Sequence, residues 1–81
     1  MASVTYHVVV PFDRNGDGEL EPGEPKEVPS AEMARRRVAS LARAHAGVVA
    51  FSRAGDPATG DFEDAVILGQ AGDVDLDALS V

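Results

Sequence analysis

Three stretches of this chain are apolar at consecutive positions rather than alternating ones: Val8-Val9-Val10, Val48-Val49-Ala50-Phe51 and Ala65-Val66-Ile67-Leu68. Strands with that pattern need cover on both faces of their sheet. The first stretch lies in a run from Val4 to Phe12, rich in β-branched and aromatic residues, that stops at a turn-forming cluster and reads as a strand. Lys26-Glu27-Val28 can form only a short edge strand, because Pro22, Pro25 and Pro29 each remove a ladder donor. Val48–Ser52 and Phe62–Leu68 read as two further strands, joined by Gly55-Asp56-Pro57-Ala58-Thr59-Gly60. In that turn proline presets the bend and Gly60 accepts a positive φ.

Between the second and third strands the period changes to that of a helix. Ser30 has the chemistry of an N-cap, Glu32 sits in the first turn, and Ala, Arg and Leu follow. The spacing predicts a helix to about Ala46 with Gly47 as its C-cap and Arg43 and His45 near the negative end of its dipole. Ala34, Val38, Leu41, Ala42 and His45 share one face, whose small residues favour close packing on a sheet. The expected fold is α+β, a small antiparallel sheet of two hairpins with one helix in the order β-β-α-β-β, formed by a single domain over residues 1–70. Residues 71–81 read as an acidic C-terminal tail carrying Val74, Leu76 and Leu79.

One helix covers one face. The other face predicts a homodimer, joined sheet face to sheet face or through shared edges. The competing expectation is a monomer whose tail folds Val74, Leu76 and Leu79 back over that face. With 81 residues and no cysteine, the chain has one modest core and neither disulfides nor thiolate metal sites to support it. The first residues lack a basic n-region and no apolar run is long enough for a secretory or transmembrane segment, which points to a cytoplasmic protein not held in a membrane.

Charge adds an asymmetry. The formal net charge is −7, but residues 30–46 carry Arg35, Arg36, Arg37 and Arg43 against Glu32 alone, a local +3 that leaves −10 on the remainder. A solvated helix face explains this basic element, and so would a protein partner docking on those four arginines. The acidic body and the lack of an aromatic platform speak against nucleic acid.

Residues 13–24, Asp-Arg-Asn-Gly-Asp-Gly-Glu-Leu-Glu-Pro-Gly-Glu, match the D-x-[DN]-x-[DN]-G-x5-E pattern at every specified position. This segment resembles the calcium loop of the EF-hand family, with Leu20 at its apolar eighth position. The resemblance implies Asp13, Asn15 and Asp17 as side-chain ligands, Glu19 through its carbonyl, Glu21 directly or through water, Glu24 as a bidentate carboxylate and Gly18 at the sharp turn. The flanks depart from that family: a strand precedes the loop, and Pro25 and Pro29 forbid a long exiting helix. Calcium is therefore the candidate ion for a site in the weak range, about 10⁻⁴ to 10⁻³ M. The alternative is a hairpin connection built on Asn15-Gly16 or Asp17-Gly18, with the carboxylates solvated.

No nucleophile motif unites His7 or His45 with a serine, and the glycine-rich stretches lack phosphate-loop spacing, so a non-enzymatic chain requiring no cofactor is expected. Across most of its length the chain also resembles short bacterial proteins of unassigned function. These pair a strand like Tyr6–Phe12 with an Ala- and Arg-rich helix and a hairpin like Ala50–Gly60. That resemblance implies a fold and no site residues. The expected function is a small protein-interaction module acting as a homodimer, with a weak divalent-cation module as the alternative.

Overall fold

A computed structural model of the chain describes residues 3–76. Its elements are β1 (Val4–Arg14), β2 (Leu20–Pro22), β3 (Lys26–Val28), α1 (Ala31–Leu41), β4 (Gly47–Asp56), β5 (Asp61–Phe62) and β6 (Val66–Gly72). The α+β expectation is met, but with six strands in place of four. β1 and β4 form the antiparallel centre of one sheet, in register from Val4 opposite Gly55 to Phe12 opposite Gly47. β2 and β3 share the outer side of β1, and β5 and β6 share the outer side of β4. Each flank is thus one strand broken in two.

The break between β2 and β3 has a local cause. The Pro11 carbonyl accepts a hydrogen bond from the Gly23 amide at 2.7 Å, so the side of β1 that lacks an N–H at Pro11 faces this flank. A partner strand there has one ladder bond fewer, and Gly23-Glu24-Pro25 passes as an irregular step. β2, not anticipated because Pro22 stands within it, survives because Pro22 occupies the last pair, opposite Phe12, on an edge. On the other flank the expected strand Phe62–Leu68 is interrupted at residues 63–65. It then runs on to Gly72, so Ala71 and Gly72, assigned to the tail on sequence grounds, end β6. Leu68 is an extra residue in this ladder: Ala50 faces Gly69 and Phe51 faces Ile67.

Helix α1 begins as expected. Ser30 is extended and its hydroxyl accepts the Met33 amide at 3.1 Å. It ends at Leu41 rather than near Ala46. The amides of Ala44 and His45 both turn onto the Leu41 carbonyl, and the next amide, that of Ala46, is taken by the Asp13 carboxylate at 3.3 Å. A tertiary bond thus ends a segment whose own propensity is helical. Gly47 is correspondingly not a C-cap: it is the first residue of β4, and glycine is required because a Cβ there would fall inside the Asp73 carbonyl.

The helix-side core joins Val9, Val28, Ala34, Val38, Val48 and Ala50, with Leu41, Ala42, Leu68 and Ala71 against it. The opposite face holds Val10, Phe12, Val49 and Phe51, and it is not bare. Val8 of β1, Leu20 from the first hairpin, Ala65 just before β6 and Val74 just after it pack on it, and Phe12 and Val49 are fully buried within the single chain. Of the three tail residues expected to fold back, Val74 does so, Leu76 is exposed and Leu79 lies outside the described residues. At about 1.5 Å per residue α1 is about half as long as β1, so the sheet end near Val4 and Gly55 stands clear of it. There Phe62 lies over Gly55, with Tyr6 at 6.2 Å between ring centroids and the Arg53 guanidinium 5.3 Å from the ring.

Candidate functional site

The segment that matches the calcium pattern folds as a hairpin. Asp13 and Arg14 are the last residues of β1, and Arg14 pairs with Leu20. The loop is closed by bonds from the Asn15 amide to the Glu19 carbonyl (2.8 Å) and from the Gly18 amide to the Asn15 carbonyl (3.0 Å). Gly18, at φ 79°, completes a three-residue turn, Gly16-Asp17-Gly18, of the type in which a left-handed glycine forms the bulge. Asn15 Oδ1 accepts the amides of Asp17 and Glu19 at 2.8 and 3.0 Å, while its Nδ2 donates to Glu21 at 3.0 Å. Glu24 lies beyond β2, 3.4 Å from Lys26. Asp13 points out of the loop altogether. Among the described residues no three His, Asp or Glu side chains come together in a way that could hold a metal ion.

What Asp13 does instead is tie distant parts of the chain together. Its Oδ2 accepts from His45 Nδ1 at 2.7 Å while its Oδ1 takes the Ala46 amide. The His45 hydrogen bond lowers the Asp13 carboxyl below the ordinary aspartate value of 3.8, with the Ala46 amide acting in the same direction. The Ala46 carbonyl in turn accepts the Asp73 amide at 3.0 Å. Arg14 bridges Asp73 (3.0 Å) and the Gly18 carbonyl (3.0 Å). The first hairpin, the turn after α1 and the segment after β6 therefore meet at one node. No local sequence signal marks it, since Asp13 and His45 are 32 positions apart.

Beside that node a cleft of about 440 Å³ opens between α1, β1 and β3. Val9, Pro11, Val28 and Leu41 form its apolar part, and Glu24, Lys26, Glu27, Arg37 and His45 the polar part. Of the four arginines singled out by sequence, only Arg37 lines it. Arg36 forms an i,i+4 pair with Glu32 at 3.2 Å, and Arg35 and Arg43 are exposed. His7 donates to or accepts from Ser52 at 2.7 Å, its cross-strand neighbour. Among the described residues no carboxylate hydrogen bonds to that histidine, so the pair lacks the orienting acid of a nucleophile triad.

The two outer edges of the sheet differ sharply. β3 is three residues long, carries Lys26 and Glu27, and is bracketed by Pro25 and Pro29. β6 is seven residues long, and the run Ala65–Gly72 contains neither a charge nor a proline. Its outer edge pairs with no strand among the described residues, and Val66 and Ile67 are 62% and 41% exposed. The missing guards were visible in the sequence. That this strand lies at an edge was not. No family model, no curated protein and no solved structure matches the chain.

Proposed function

We propose that this chain is a non-enzymatic association module that works as a homodimer, two copies pairing antiparallel through the outer edges of β6. The observation that carries this reading is the unguarded edge itself. A row of free backbone donors and acceptors on a strand of this length is a template for another strand, and natural sheets blunt such edges with charge, proline or brevity. β3 is short, charged and bracketed by proline, whereas β6 has none of these three and carries as its one irregularity the bulge at Leu68.

A second copy is the favoured partner because antiparallel edge pairing is self-complementary about a two-fold axis normal to the sheet. Two chains of net charge −7 repel, yet the pairing run is neutral. Of the acidic residues that bracket it, Asp64 and Asp73, the second is held by Arg14. Exposed Val66 and Ile67 would be covered. The burial of Val10, Phe12 and Val49 within one chain removes the need for a face-to-face dimer and favours the edge, which lacks cover among the described residues. A contact confined to one strand edge is small beside the roughly 1,200 Å² of standard complexes, so the dimer should be weak and tighten with added salt as repulsion is screened.

The test is amide hydrogen exchange over a protein concentration series. Alternate amides of residues 66–72 should gain protection with concentration while those of 26–28 do not. Protection at β6 that is independent of concentration overturns the reading.

A further inference from the structure

We propose that the cleft between α1, β1 and β3 binds a small organic carboxylate with an apolar tail, its carboxylate on Arg37 and its tail on Val9, Val28 and Leu41. The cleft's volume of about 440 Å³ lies within the usual range for small-molecule sites, about 300–1,000 Å³, and its combination of an apolar floor with a few polar groups is the usual composition. The sign of the ligand follows from which charges are already used. Lys26 and Glu24 hold one another at 3.4 Å, and the His45 ring is fixed by Asp13. Arg37 makes no hydrogen bond or ion pair with the described residues, and its planar fork suits a carboxylate.

Two features oppose an anion here: Glu27 on the β3 side, which likewise makes no hydrogen bond or ion pair with the described residues, and the carbonyl end of α1 at Leu41. The carbonyls of Val38 and Leu41 are already taken by the amides of Ala42, Ala44 and His45, which blunts the second. The cleft lining is balanced, Lys26 and Arg37 against Glu24 and Glu27, and the local +3 of residues 30–46 adds positive potential from the helix side. This inference stands apart from the homodimer, since the cleft lies on the β3 flank of the sheet and the pairing edge on the β6 flank.

Hexanoate is the probe, followed by amide chemical shifts of the full chain, with hexylamine and hexanol as controls. Saturable shifts at Val9, Val28, Leu41 and His45 are expected with hexanoate and not with the controls. Arg37→Gln should weaken binding roughly 10- to 100-fold, the worth of a charge-assisted hydrogen bond, and Glu27→Gln should strengthen it. Both are exposed positions, so each variant should keep the fold, checked by its unperturbed spectrum outside the cleft. Hexylamine or hexanol binding as tightly as hexanoate, Arg37→Gln binding unchanged, or shifts that never saturate would each overturn the assignment.

Discussion

The two flanks of the sheet begin alike and end differently. Both are split strands hung on the central pair β1–β4, one as β2 and β3, the other as β5 and β6. On the β3 flank, Pro11 in the central strand withholds a donor, and Pro22, Pro25 and Pro29 in the flank itself keep each piece to three residues. On the β6 flank residues 63–65 part the two pieces, but β6 itself passes its one extra residue, Leu68, and stays neutral over all seven residues from Val66 to Gly72. The lesson is that proline placement decides which side of a small sheet is closed. The closed side then folds its charges around a cleft, and the open side presents backbone.

The largest effect expected is on the central pair that both flanks share. Phe12→Ala should cost about 3–5 kcal/mol in chemical denaturation, because Phe12 is fully buried on the face that Val8, Leu20, Ala65 and Val74 help close. That is much of the margin of a chain this size, at roughly 0.05–0.15 kcal/mol per residue. A cost below 1 kcal/mol would mean that this face is not a packed core. Gly47→Ala comes next, at about 1–3 kcal/mol, since the added methyl must displace the backbone at Asp73.

Changes at the edges should leave the fold nearly untouched and alter association. Val66→Lys with Ile67→Lys places guards on β6 like those on β3 and should weaken the dimer about 100-fold or more, as like charges meet across the two-fold axis. The reverse experiment, Lys26→Val with Glu27→Thr, should produce only a minor higher-order species in sedimentation, because Pro25 and Pro29 still limit β3. Extensive filament formation would show that charge, not proline, is the main guard.

The smallest effect concerns the node. Asp13 ionises below its ordinary value in the folded chain, so its bonds add stability that is present above pH 3.8 and is lost as pH falls through the lowered folded value. Asp13→Asn should flatten that acid limb of a stability-against-pH profile. An unchanged limb would mean that the His45 contact contributes nothing to folding.

What could be read beforehand follows the range of the forces involved. Ser30 as N-cap, the Asp56–Gly60 turn with Gly60 at φ 79°, and the strand from Val4 rest on local chemistry and appear as expected. The helix end does not, because it is set by a carboxylate 33 positions from Ala46. Residues 13–24 satisfy two local readings at once: the Asp-Gly and Asn-Gly pairs that suit a cation loop also suit a bulged hairpin, and the hydrogen bonds of Asn15 complete the second. Arg37 and Glu24 were singled out for separate reasons, and only the tertiary fold puts them on one cleft. The neutrality of residues 65–72 was plain in the sequence, but its consequence depends on strand order, which only long-range pairing reveals.

Sedimentation equilibrium over a concentration series, with and without added salt, tests the edge-paired dimer most directly. The wild-type chain should approach twice its monomer mass as concentration and salt rise, and the Val66→Lys, Ile67→Lys double variant should stay at one chain throughout. A wild-type chain that remains monomeric at every concentration, or a double variant that dimerises as well as wild type, would contradict the account.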